Sequence, residues 1–276
     1  MSIPDPEAML DGVEAVARAG ADRLMGYWRR LEPSDVDEKA RNDLVSAADH
    51  AAEEAILEQI GTRYPGHTVL SEEAGWSGTP DDGPLWIVDP LDGTTNFVHG
   101  IPQFAVSVAV SVGGTVELGV ILDPLRGDVF RAARGRGATW NGRPCTVSRR
   151  AGLAGALLAT GFPFRAHALL DAYLAIFHDV FLAAKAIRRP GAAALDLAWT
   201  AAGLFDGFFE FRLSPWDVAA GSLLVREAGG VVTDMDGGDE PVRTGDVVCG
   251  GPGVHRELLE LVARHRHRWH AADASS

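Results

Sequence analysis

The sequence predicts an α+β protein made of an antiparallel sheet followed by a mixed α/β region. Three observations predict it. Up to about residue 65 apolar residues recur at helical spacing. From Phe104 to Val147, short apolar or alternating runs are separated by Gly-containing turns. Beyond Arg150, strand and helix patterns alternate. This suits 276 residues of 46% hydrophobic content, as one large domain or two closely packed halves, 1–150 and 151–276.

Taken in order, Met9, Val13, Val16 and Leu24 share one face of a first helix, which Glu32-Pro33 ends. The charged segment Ser34 to Asn42 is expected as a surface loop, or as a lid whose Lys39 and Arg41 meet an anion. Ser46 to Arg63 repeats Ala48, Ala52, Ile56 and Ile60 as a second helix, stopped by Pro65-Gly66. A strand at Thr68 to Leu70 leads into Ser71-Glu72-Glu73, and Gly75 to Gly83 reads as an exposed loop. Leu85 to Val88 is a buried strand that stops in Asp89-Pro-Leu-Asp92-Gly-Thr94. Strands at 104–112, 116–122, 129–133, 138–140 and 145–147 follow, the last two joined by an Asn141-Gly142 turn. The second half reads as strands at 156–160, 186–189, 206–211, 231–233 and 247–249. Its helices are at 168–182, 193–202, 215–227 and 254–265. The basic tail Arg264 to His270 is expected to be solvated and mobile.

Net charge is −13, which disfavours direct nucleic-acid binding, since phosphate contacts need basic clusters. Phosphorylated substrates stay compatible if bound cations invert the local charge. Two cysteines, Cys145 and Cys249, are too few for a disulfide framework and read as small apolar residues. The opening residues lack the basic start and apolar stretch of a signal peptide, and no run reaches the length of a membrane span. A cytoplasmic setting is expected. No Gly-rich Lys-Ser/Thr phosphate loop occurs, which argues against a nucleoside triphosphatase.

The acids carry the chemistry. Glu72 follows one strand end, Asp89 and Asp92 follow the next, and Asp217 opens a helix after a third. Four carboxylates meeting in one place repel each other and are tolerable only with cations between them. Oxygen-only donors suit a hard ion such as Mg²⁺. Two cations about 4 Å apart would form a phosphoryl-transfer centre. In that arrangement Asp89 bridges, Asp92 and Asp217 complete one site, and Glu72 with the Leu91 carbonyl completes the other. Thr94 and Asp49 would orient and help deprotonate the attacking water. Asp49 is equally placed to cap its helix.

Asp89-Pro-Leu-Asp92-Gly-Thr94-Thr95-Asn96-Phe97 and Pro215-Trp216-Asp217-Val-Ala-Ala-Gly221 resemble the two signature motifs of the inositol monophosphatase family. Asp43-Leu-Val-Ser-Ala-Ala-Asp49, Ser71-Glu72-Glu73, Ala159 to Phe164, Arg188-Arg189-Pro-Gly191, Ala194 to Leu197 and Glu227 to Gly230 extend the resemblance nearly end to end. It implies a layered α-β-α-β-α sandwich of the sugar-phosphatase type. It implies two or three Mg²⁺ per site, lithium sensitivity and a homodimer. It implies that Gly93, Gly191, Ala192, Ala193 and Glu210 line the substrate's side of the site with Asp92, Thr94 and Asp217. Ala192 departs from the family's usual Ser or Thr, which bears on the choice of alcohol. The implied activity is hydrolysis of a small polyol or sugar phosphate, inositol 1-phosphate first. Histidinol phosphate, fructose 1,6-bisphosphate and a phosphoadenosine nucleotide are alternatives. A second class of function is a regulatory binding protein of the transcription apparatus, a role some bacterial relatives hold.

Overall fold

The computed structural model describes residues 3, 5–40, 43–78, 83–164 and 166–273. Helix α1 (Pro6–Tyr27) starts where the Asp5 carboxylate accepts from the Ala8 N–H at 3.1 Å, with proline in the first turn. Next, β1 (Val36–Ala40) and β2 (Asp43–Ser46) pair antiparallel, Val36 opposite Ser46 and Glu38 opposite Leu44. The charged segment expected as a loop is therefore largely strand. A two-stranded ribbon satisfies its backbone without burying side chains, so it needs no apolar alternation. Arg41 and Asn42 lie outside the described residues. Helix α2 (Ala47–Arg63) follows directly, capped by Ser46.

The first sheet comprises β3 (Thr68–Ser71), β4 (Gly75–Ser77), β5 (Pro84–Asp92), β6 (Ala105–Val112), β7 (Thr115–Asp123), β8 (Asp128–Ala133), β9 (Ala138–Trp140) and β10 (Arg143–Pro144). A short helix, α3 (Thr94–Val98), lies between β5 and β6. The strand order is β10-β9-β8-β7-β6-β5-β3-β4. All neighbours are antiparallel except β3 and β5, which run parallel. The strand expected at 145–147 is replaced by β10 two residues earlier, and part of the loop expected at 75–83 forms β4.

The second sheet takes β11 (Leu157–Thr160), β12 (Ala186–Arg188), β13 (Gly207–Glu210), β14 (Val231–Thr233) and β15 (Val247–Gly250) in the order β12-β11-β13-β15-β14. It is mixed: β11 runs parallel to β12 and β13, and β15 antiparallel to β13 and β14. The accompanying helices are α4 (Leu170–Ala183), α5 (Ala193–Ala201), α6 (Pro215–Glu227), α7 (Pro241–Thr244), α8 (Pro252–Ala263) and α9 (Arg266–Asp273).

Strand alternation separates the core into three layers. Trp86, Val88, Val106, Val108 and Val120 face α1 and α2. Ile87, Ala109 and Ile121 turn the other way, against Leu195 and Leu197 of α5 and Val218 and Leu224 of α6. Phe208 and Cys249 of the second sheet meet that same middle layer, while Leu158, Phe209 and Val248 face α4, α8 and α9. Both sheets are covered on both faces, so strands such as β6 are buried along their whole length, its two serines included. The result is the expected α-β-α-β-α sandwich. Gly119 of β7 lets α6 lie close: a Cβ there would sit 3.0 Å from Ala220 Cα. Among the described residues no helix is long and apolar enough to cross a membrane.

The basic tail departs from expectation. Residues 266–273 form α9, and Trp269 is 2% exposed, stacking edge-on against Phe211 at 5.7 Å. His265 Nε2 also lies 2.9 Å from Asp179 of α4. One buried indole outweighs the solvation of the charged residues around it. Replacing Trp269 by alanine is expected to cost about 3–5 kcal/mol, measured by denaturant unfolding; a loss below about 0.5 kcal/mol would restore the picture of a mobile tail.

Candidate active site

Strand direction gathers the acids. Because β3 and β5 are parallel, with Ser71 opposite Val88, the chain leaves both strands at the same end, and Glu72 emerges beside Asp89. The Glu72 N–H donates to the Val88 carbonyl at 3.2 Å and fixes that register. Antiparallel pairing would have sent Glu72 to the far end of the sheet. At the end of β5 the pairing with β6 slips, Asp89 opposite Ser107 but Asp92 opposite Ala105. That bulge adds one residue, so two acids three apart face one side rather than opposite sides. Leu91 N–H donates to Asp89 Oδ1 at 2.9 Å, which closes the bulge.

Asp217 arrives from α6. It sits in the first turn, where its Oδ2 accepts from the Ser214 N–H at 2.7 Å. Ser107 of β6 donates its hydroxyl to the Trp216 carbonyl at 3.1 Å and ties that helix start to the first sheet. One carboxylate oxygen each from Asp89, Asp92 and Asp217 then lies within 4.8 Å of the others. Glu72 lines the same cleft. Its Oε1 is 3.4 Å from Lys39 Nζ, and the same ammonium contacts Glu73.

Burial makes this cluster electrostatically demanding. Asp89 is 1% exposed and Asp92 7%. Desolvation first, then repulsion from Glu72, Asp92 and Asp217, pushes Asp89 well above the usual carboxylate range. Desolvation and Asp217 push Asp92 up to about 8, against N–H bonds from Ala194 at 2.8 Å and Ala193 at 3.2 Å. Such a group must take up protons or cations. Short-range oxygen donors without nitrogen or sulfur fit hard divalent ions. Asp89, Asp92, Asp217, Glu72 and the Leu91 carbonyl are the residues that could hold them.

Asp49 serves two tasks with its two oxygens. Oδ2 accepts from the Ser46 N–H at 2.8 Å and the Ser46 hydroxyl at 2.6 Å, capping α2. Oδ1 accepts from the Thr94 hydroxyl at 2.9 Å. The Thr94 oxygen is also 3.1 Å from the Leu91 carbonyl, so it adjoins the acidic cluster. Burial raises the Asp49 carboxyl above its ordinary value, opposed by the bonds from Ser46 and Thr94.

The opposite wall comes from the second sheet. The parallel strands β11, β12 and β13 all end toward the cleft, which is where open α/β sheets place ligands. They deliver Thr160 and Gly161, then Arg189, Gly191, Ala192 and Ala193, then Glu210. Arg189 stacks over Phe162 and Phe164, its guanidinium carbon 5.7 and 5.1 Å from the ring centres. The Ala193 N–H is committed to Asp92, so the motif and the start of α5 are joined directly.

Gly93 is held at φ 93°, and a Cβ there would stand 3.0 Å from the Gln103 carbonyl and 3.3 Å from that of Gly191. Gly93→Ala is expected to cost about 1–3 kcal/mol and to lower any turnover; thermal unfolding equal to wild type would show that the turn relaxes freely.

Three residues carried no role in the sequence reading. Asn96 donates from Nδ2 to the carbonyls of Gln103, Pro190 and Gly191 at 2.8, 3.0 and 3.2 Å, binding the two walls together. Asp196 lines the cleft at 1% exposure, and its Oδ1 has no hydrogen-bond partner among the described residues. Burial, then Glu210, holds its carboxyl well above the ordinary range. A lone acid on the apolar α5 was its signal. Glu53, in the second turn of α2, bonds the segment around Glu72. His99 bonds the Thr95 carbonyl at 2.8 Å as a turn residue.

Comparison with known proteins agrees with this architecture. The profile of the inositol monophosphatase family matches residues 5–271. The Nus factor SuhB of Pseudomonas aeruginosa is 45% identical over 263 residues, 94% of this chain and 97% of that protein. The crystal structure of the extragenic suppressor protein SuhB from Bartonella henselae superposes with a TM-score of 0.87 at 40% identity, covering 92% of this chain and 98% of that one. The inositol monophosphatase from Anabaena (Nostoc) gives 0.84 at 38% identity, covering 94% and 96%. With its motifs, layered fold and acidic cleft, the chain belongs to the inositol monophosphatase family.

Proposed function

We propose that this protein is a Mg²⁺-dependent phosphomonoesterase acting on a small polyol or sugar phosphate, with inositol 1-phosphate the leading substrate. The observation that carries the reading is the desolvated Asp89–Asp92–Asp217 cluster, sharing one cleft with Glu72, in a family member. Glu72, Asp89, the Leu91 carbonyl, Asp92 and Asp217 would hold two or three cations. Bound there, divalent ions supply water activation and neutralise charge on the phosphate oxygens.

The chain's own residues do the rest. Thr94, donating to Asp49 Oδ1, keeps a lone pair free to accept from the attacking water. Asp49 Oδ1 takes the proton passed through the Thr94 hydroxyl, which its raised pKa favours. Asp92, Gly93, Gly191, Ala192, Ala193, Glu210 and Asp217 surround the alcohol. Ala192 offers a methyl group where a hydroxyl would add one contact, so selectivity among polyols rests on Glu210 and its neighbours. The carboxyls of Glu210 and Asp196 suit hydroxyl-rich alcohols better than a nucleobase. For the expected homodimer, α4 offers an apolar face: Leu170, Leu174 and Phe181 are 44%, 47% and 63% exposed.

Phosphate release from a panel of esters tests the substrate. Inositol 1-phosphate is expected to give the highest kcat/KM. A tenfold lead for histidinol phosphate, fructose 1,6-bisphosphate or a phosphoadenosine nucleotide would move the assignment to that ester. A second reading, a binding role in the transcription apparatus, draws on the relatives named Nus factor. Affinity capture from cell extract tests it, with recovery of RNA polymerase subunits the supporting result and their absence the opposing one.

A further inference from the structure

Resting on the reading above, we propose that Glu53 is a positioning residue, setting the Glu72 ligand by clamping the backbone that carries it. Glu53 is 6% exposed. Its Oε1 accepts three hydrogen bonds, from the Ser71 hydroxyl at 2.5 Å, the Ala74 N–H at 2.9 Å and the Glu73 N–H at 3.2 Å. Those donors stand at one residue before Glu72 and one and two after it. On the other side, the Glu72 N–H is bonded to Val88 of β5. The backbone at Glu72 is thus held between α2 and β5.

The clamp has a further consequence because of where it is anchored. Glu53 lies four residues after Asp49, one turn along the same face of α2. One rigid helix therefore fixes two distances at once, to the Thr94 hydroxyl through Asp49 and to the Glu72 turn through Glu53. Lys39 attracts Glu72 and Glu73 from the β1–β2 ribbon. Without the clamp, the Ser71 hydroxyl and the Glu73 and Ala74 N–H groups lose their acceptor and that attraction acts on a loosened turn. Groups that orient ligands typically change metal affinity by about 10–100-fold when removed.

The test is Mn²⁺ binding to the purified full chain, followed by electron paramagnetic resonance of free Mn²⁺, with thermal unfolding in parallel. Glu53→Ala removes the acceptor and Glu53→Asp retracts it by one methylene, whereas Glu53→Gln keeps a carbonyl oxygen in place. Alanine and aspartate are expected to weaken Mn²⁺ binding at least about tenfold, with glutamine within about threefold of wild type. A purely structural role would lower the unfolding temperature and leave affinity unchanged. Wild-type affinity in a folded Glu53→Ala or Glu53→Asp protein overturns the inference; if the alanine protein does not fold, the aspartate protein decides. A wild type that binds Mn²⁺ yet hydrolyses no ester would defeat the phosphatase reading and leave the Glu53 result standing on its own.

Discussion

Asp89→Asn is expected to abolish Mg²⁺-dependent phosphate release, lowering kcat/KM by at least about a thousandfold, while making the metal-free protein more stable. Both effects follow from one geometry. Asp89 is fully desolvated and faces Glu72, Asp92 and Asp217. Losing its charge removes a ligand common to the proposed cations and also removes repulsion. The sign with pH follows from linkage. Asp92 holds its proton in the folded state up to about 8. Stability from that group is full below about pH 4 and lost as pH rises through its folded value. The metal-free wild type should weaken from pH 4 toward 8, less steeply in Asp89→Asn, and Mg²⁺ should rescue only the wild type. Differential scanning fluorimetry with and without Mg²⁺, beside a phosphate assay, reads both. Equal phosphate release from the two proteins would show that Asp89 is no ligand.

Asp49→Asn and Thr94→Ala are each expected to lower kcat by about 10²–10⁴-fold, with Mg²⁺ affinity within about threefold of wild type. The 2.9 Å bond between them makes the pair one unit, so the double variant should be little worse than either single one. Asparagine at 49 keeps an oxygen for the Ser46 cap, so stability should change by less than about 1 kcal/mol. Steady-state kinetics at saturating Mg²⁺ decides. A raised KM for Mg²⁺ with kcat intact would reassign both residues to cation binding, and multiplicative losses in the double variant would separate their roles.

The acids were legible because their chemistry is local: Asp-Pro after an apolar run, an acid opening a helix, two glutamates past a strand. Their convergence was not, because it depends on pairing direction and register. An all-antiparallel first sheet would have separated Glu72 from Asp89, and only the parallel β3–β5 pair brings them together. Likewise Asp89 and Asp92 share a side because of a bulge that spacing alone does not reveal. Asp49 had two competing explanations in the sequence, helix cap and water partner, and its two oxygens accommodate both. Glu53 looked like any helix acid, since nothing in helical spacing shows which loop lies above it. Trp269 was lost among basic neighbours, because composition over a short tail weighs three arginines and three histidines against one ring without knowing that Phe211 waits for it. The layered architecture was readable only through resemblance. Periodicity gives the elements, but the stacking of α5 and α6 between two sheets is a long-range property.

Whether the buried acids serve phosphoryl transfer through divalent cations is decided by phosphate release from inositol 1-phosphate by the purified wild type, stripped of metal by chelation and then titrated with Mg²⁺. No turnover is expected in the stripped protein, with a saturable return of activity on titration. Turnover that persists unchanged in the stripped protein, or no release from inositol 1-phosphate or any other ester at saturating Mg²⁺, would contradict that role.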